Sequence, residues 1–262
     1  MRSKPLCGLA LCLALAMPSL GAAQTRQPGA PETLASFPLP PLPDRPLALQ
    51  FLGAVALFSL PEAPARKNWP AVLILPDALG ADGRAEPYIE NLLGAGIVVL
   101  ELRNASADAA QAAMAILAND PRIAAPRLGV LGFGQGGRLA LGLPGAEARA
   151  LLYPGCANLP APPNSAGSVL LVHGAEDPTN SAEACARLCA ALREAGAEAT
   201  QREIPGAGYA WDLPALGRTP AALLPAAGSA ERLAVRPWPA MAAQSAAEIA
   251  GFFADHFSRG AP

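Results

Sequence analysis

Short apolar runs alternate with helix-like segments along most of this chain. Ala71-Val-Leu-Ile-Leu75 is continuous and apolar, the pattern of a strand buried on both faces of a parallel sheet. Two earlier segments, Leu47 to Leu52 and Val55 to Leu60, read as strands at a sheet edge. The alternation then becomes regular: a helix near Ala85 to Leu93, a strand Ile97 to Leu102, a helix near Ala107 to Leu117 and a strand Leu128 to Leu131. It continues through a helix after Gln135, strands Ala148 to Tyr153 and Val169 to His173, a helix from about Ala182 to Ala195 and a strand near Thr200 to Ile204. Trp211 to Pro237, broken by Pro214, Pro220 and Pro225, reads as a long irregular loop, and Ala240 to Phe257 as a closing helix. Strands separated by helices need right-handed crossovers. The expected fold class is therefore α/β, with a mostly parallel central sheet and helices on both faces.

Length and composition narrow this further. With 262 residues, 52% of them hydrophobic and 15% charged, the chain is long enough for one large core and short for two, so residues 46–262 are expected to form a single domain. A formal charge of -2 leaves no electrostatic footprint for nucleic acid. At the N-terminus Arg2 and Lys4 precede an apolar run from Leu6 to Met17, then Pro18 and Gly21-Ala22-Ala23. That order reads as a secretory signal peptide cleaved after Ala23. Residues 24–45, with Pro28, Pro31, Pro38, Pro40, Pro41 and Pro43, read as an extended lead-in. The mature protein is thus expected to be periplasmic or secreted, with no membrane association after cleavage. Cys156, Cys185 and Cys189 remain in it, where disulfides persist. Cys185 and Cys189 lie i, i+4 on one helix, so either can meet Cys156.

The chemistry is organised around Arg127-Leu-Gly-Val-Leu-Gly-Phe-Gly-Gln-Gly-Gly137, which reads as strand, tight glycine turn and helix. Gly132 and Gly136 stand at the flanking positions of a nucleophile elbow, and Gly134 stands where a Ser or Cys belongs. The amide of Gln135 would still point toward the cleft. Three further loops follow strands, where ligands bind in such sheets: the loop holding Asp77, the loop Gly174-Ala-Glu-Asp-Pro-Thr179, and Pro205-Gly-Ala-Gly-Tyr-Ala-Trp-Asp212. Elbow, acidic loop and glycine-containing loop follow the order Ser, Asp or Glu, His of an α/β-hydrolase triad.

Over roughly Ala71 to Phe257 these motifs resemble the dienelactone hydrolase family of the α/β-hydrolase fold. His173-Gly-Ala-Glu-Asp177 is similar to the family's acid loop, and Pro205 to Asp212 to its Pro-Gly-Ala-x-His-x-Phe-Asp segment. The resemblance places Gly134 at the nucleophile position, Asp177 at the acid and Tyr209 at the histidine. It also implies an acidic residue near the nucleophile at Asp77, where a helix cap is an equal reading. Tyr153-Pro-Gly-Cys156 with Cys185 resembles a secreted branch, which implies a Cys156 to Cys185 bridge.

Of the triad only the acid is kept. Glycine has no atom to attack a carbonyl, and a phenol with an ordinary pKa of about 10 is a poor base beside an imidazole near roughly 6.5. The two histidines do not repair this: His173 is expected to end a strand and His256 to sit in the last helix. The expectation is a noncatalytic pseudoenzyme that binds a small ester, lactone or carboxylate, or a protein partner, with Asp77, Gln135 and Trp211 as binding residues. No metal or cofactor is implied. The alternatives are a weak hydrolase using water with Asp77 or Asp177 as base, and an interaction protein without ligand, its cleft filled by Tyr209 and Trp211.

Overall fold

The structure is a computed structural model that describes residues 40–43, 45–62, 68–104, 106–215 and 222–259. Residues 1–23, expected to be a signal peptide, and most of the expected lead-in over 24–45 lie outside the described residues. Strands β1 (Leu47–Phe51), β2 (Ala54–Ser59), β3 (Trp69–Leu75), β4 (Val98–Leu102), β5 (Ile123–Phe133), β6 (Ala148–Leu152), β7 (Ser168–Gly174) and β8 (Glu198–Ile204) form one sheet. Its order is β1-β2-β4-β3-β5-β6-β7-β8. The first two strands join antiparallel, and every pairing from β4 to β8 is parallel.

Helices cover both faces because the central strands are apolar on both. In β3, Ala71, Leu73 and Leu75 face the cluster that also contains Ala113 and Leu117 of α2 (Ala107–Asn119), Leu141 of α3 (Gln135–Gly142) and Leu188 of α4 (Ala182–Glu194). Val72 and Ile74 face the opposite cluster, with Tyr88 and Leu92 of α1 (Glu86–Gly94) and Phe253 and Phe257 of α5 (Pro239–Arg259). Ser106 and Ser181 start α2 and α4 by accepting the amides of Ala109 and Ala184 at 3.2 and 3.3 Å.

Two local features depart from the sequence reading. Strand β5 begins at Ile123, five residues early, and its register with β3 shifts between Trp69 and Ala71. Pro126, inside that stretch, has no N–H to give to a ladder. A short hairpin, β9 (Leu223–Pro225) with β10 (Arg232–Ala234), interrupts the loop expected to be irregular from Trp211 to Pro237.

Cys156, in a short 3-10 turn after β6, is joined to Cys185 on α4, and Cys189 is a buried free thiol. The bridge joins residues 29 positions apart in sequence. In the chain-entropy account, a loop of that size stabilises the fold by about 3.5 kcal/mol. Replacing both residues, Cys156→Ser with Cys185→Ser, is expected to lower urea-unfolding stability by about 2–4 kcal/mol, whereas Cys189→Ser leaves the disulfide contribution intact.

Candidate active site

Strand β5 ends at Phe133, α3 begins at Gln135, and Gly134 between them has φ 48° and ψ -113°. A positive φ is strained for any residue with a Cβ, so glycine relaxes the turn at the position from which a nucleophile would project. The turn is tight as well. A Cβ on Gly136 would overlap the carbonyls of Leu75 and Pro76, so only glycine lets α3 start this close to β3.

The space above Gly134 is filled. Asp77, in the loop after β3, turns its carboxylate over the elbow. Its Oδ1 accepts the amide of Ala78 at 2.8 Å and that of Gln135 at 2.9 Å. The amide after the nucleophile position and an amide from the loop after β3 are the two donors of an α/β-hydrolase oxyanion hole. Asp77 Oδ1 therefore sits where the oxyanion of an acyl-transfer intermediate would sit. Its Oδ2 accepts the hydroxyl of Tyr209 at 2.9 Å and faces Arg84 Nη1 at 3.4 Å.

A network beneath this contact holds it in place. Arg84 Nη1 donates to the Tyr153 hydroxyl at 2.9 Å, Tyr153 donates to Asp212 Oδ1 at 2.7 Å, and Tyr88 donates to Asp212 Oδ2 at 2.8 Å. Arg84 also grips Asp82. All but Asp82 are buried. Burial pushes the Asp212 carboxyl up, against the pull of Arg84 and the two tyrosine hydroxyls. Burial alone would lower the guanidinium of Arg84, but Tyr153, Asp82 and Asp212 hold it well above its ordinary value. Tyr209 is pushed up by burial and then by the charge and hydrogen bond of Asp77. The phenol thus stays protonated and acts as a donor rather than a base.

Asp177 belongs to its own loop. Its Oδ1 accepts the amide and hydroxyl of Thr179 at 2.9 and 2.8 Å, and its Oδ2 accepts the Asn180 side chain at 2.9 Å. Burial pushes its carboxyl up while these donors pull it down. Trp211 is fully buried and donates to Ser245 Oγ at 3.2 Å, so it is a core residue and presents no surface to a ligand. His173 lies turned toward β8, with Nε2 2.8 Å from the Gln201 amide nitrogen and 3.9 Å from Glu203. His256 lies on α5, 3.9 Å from Glu147. Gln135 has its side chain exposed, and its amide, expected to be free for a ligand, is taken by Asp77.

The sequence reading brought Gly134, Gln135, Asp77 and Tyr209 to loops at the carboxyl ends of three strands, and the structure joins all four. It missed Arg84, Tyr88, Tyr153 and Asp212. Asp212 was visible as the last residue of the segment that carries Tyr209, and Tyr153 as the first of Tyr153-Pro-Gly-Cys156. Cavities flank the Asp77–Tyr209 contact. One of about 530 Å³ is lined by Asp77, Ala78, Arg103, Gln135 and Leu139. Another of about 450 Å³ is lined by Tyr209, Glu176, Arg236 and Trp238. Among the described residues no group of three or more His, Cys, Asp or Glu side chains is placed to hold a metal ion, and no helix is long and apolar enough to cross a membrane.

The parallel sheet, the turn at Gly134 and the loops at its strand ends define a protein of the α/β-hydrolase fold. Within that class the chain is similar to one family over part of its length: the sequence profile described as "Dienelactone hydrolase family" matches residues 99–215. Solved structures agree in fold. A dienelactone hydrolase-like promiscuous phosphotriesterase from metagenomic libraries is 18% identical, with a TM-score of 0.59, covering 78% of this chain and 92% of the other. The hyperthermophilic esterase from the archaeon Pyrobaculum calidifontis is 15% identical, with a TM-score of 0.61 and coverage of 85% and 88%. A protein designated m3DLH is 23% identical, with a TM-score of 0.61 and coverage of 78% and 92%. No curated protein sequence matches the chain.

Proposed function

We propose that this is an exported, noncatalytic dienelactone hydrolase-like protein whose oxyanion hole is closed by its own Asp77. The observation that carries the reading is the pair of hydrogen bonds from the Ala78 and Gln135 amides to Asp77 Oδ1, above a glycine that has nothing to attack with. The reading rests on geometry as well as on missing residues. A substrate carbonyl would have to displace a carboxylate held by four donors. The same four bonds leave Asp77 poorly placed to activate a water. Export is supported by the N-terminal charge and hydropathy pattern and by the bridge between Cys156 and Cys185.

Recognition then falls to the space beside the plug. A small ester, lactone or carboxylate fits the 530 Å³ cavity, where the Arg103 guanidinium is 40% exposed and pairs with Glu101 at 3.3 Å. The burial of Tyr209 and Trp211 favours a second reading, a protein-interaction role with no small ligand. Two measurements decide. Hydrolysis of aryl acetates and small lactones by the purified protein is expected to match the buffer rate, and saturable turnover lost in Asp177→Ala would overturn the noncatalytic reading. Calorimetric titration with the same esters, lactones and their acids separates ligand binding from the ligand-free role.

A further inference from the structure

Arg149 stands at the start of β6, at the opposite end of that strand from Tyr153, about 13 Å away at the usual strand rise. It is only 9% exposed. Its Nη1 donates to the Ala166 carbonyl at 3.1 Å and its Nη2 to the Leu143 carbonyl at 2.9 Å. Both acceptors are neutral. Its Nε is the buried side-chain nitrogen or oxygen without a hydrogen-bond partner among the described residues. Among the described residues no carboxylate pairs with this guanidinium, in contrast to Arg84, Arg103 and Arg187, each of which has at least one. A buried charge without a counter-ion is costly, and the partial negative charge at the C-terminal end of α3 offsets only part of it.

The same side chain lines a cavity of about 160 Å³. At roughly 30 Å³ per water, that volume exceeds the needs of a single solvent molecule. Asn164 and Ser165 contribute polar groups to the cavity, and Leu141, Pro144 and Val169 contribute apolar wall. We propose that this cavity binds a short-chain carboxylate, its head group paired with Arg149 and its acyl chain on the apolar wall. Such a ligand supplies the missing negative charge and accepts from Nη1 and Nη2, each of which keeps an N–H beyond its bond to a protein carbonyl. The site is remote from the elbow and independent of whether the elbow has activity.

The test is thermal unfolding of the purified protein against acetate, propionate and butyrate at constant ionic strength, with sulfate as the control for salt. At ten times the dissociation constant the midpoint is expected to rise by about 3–6 °C and to go on rising with the logarithm of the carboxylate concentration. Butyrate should reach a given rise at a lower concentration than acetate. Arg149→Met is expected to lose the response. Because that change also removes two bonds to the backbone, Asn164→Asp provides a second variant: a carboxylate on the exposed loop supplies the counter-ion from within and abolishes the response while the fold persists. A rise of equal size in Asn164→Asp, or a rise in the natural protein no larger than that given by sulfate, would overturn the proposal.

Discussion

The Gly134→Ser, Tyr209→His double variant is expected to remain without esterase activity, and adding Asp77→Ala is expected to raise its aryl-ester turnover by at least about 100-fold. The reason is steric as well as electrostatic. A Cβ at position 134 would come within 2.5 Å of Asp77 Cγ and 2.6 Å of the Tyr209 hydroxyl. The histidine substitution removes the phenol but leaves the carboxylate on the Ala78 and Gln135 amides. Each donor of an oxyanion hole contributes on the order of 10²–10³ in rate, so a nucleophile restored under a blocked hole gains little. Steady-state rates of the double and triple variants give the comparison. Equal rates would mean that Asp77 does not occupy the hole.

The largest stability effect is expected at Arg84. This cation meets Asp77 at 3.4 Å and Asp82 at 2.5 Å, and it lies against the Tyr153 hydroxyl that supports Asp212. Removing one partner of a buried ionic cluster strands the others, at a cost of about 3–5 kcal/mol. Arg84→Met should lower the unfolding free energy in urea by that amount. The exposed pair of Glu183 and Arg187 is the control, since its side chains are 84% and 64% exposed. Arg187→Met should cost less than about 1 kcal/mol. A loss below 1 kcal/mol in both variants would remove Arg84 from its place as the centre of the network.

The elbow was legible because backbone geometry imposes its spacing. Gly132 and Gly136 are required by close approach and Gly134 tolerates the positive φ, so three glycines at alternate positions after an apolar run announce the turn. The alternation of strand and helix was legible for a similar reason: β3, β4, β6, β7 and the end of β5 from Leu128 are buried on both faces and read as largely apolar runs. The plug was not legible. Whether Asp77 caps a helix, faces a ligand or fills the oxyanion hole depends on one side-chain rotamer, and the residue type fits all three. The network below it joins residues 69, 59 and 124 positions apart, a range at which periodicity carries no signal. Trp211 stands in a loop by sequence, yet its ring packs edge-on against Tyr153 in the core. A tryptophan in a loop does not announce which side it will take.

The carboxylate of Asp77 also sets a conformational tax on anything that would use the two amides. An external anion can reach them only in molecules whose Asp77 has swung away, so its apparent affinity is the intrinsic one scaled by that open fraction. If roughly one molecule in 100 is open, binding is about 100-fold weaker than the bare hole would allow. Compounds designed to mimic the tetrahedral intermediate of ester cleavage should therefore select against this protein and in favour of α/β-hydrolases whose two amides are free, without any contact that distinguishes the two.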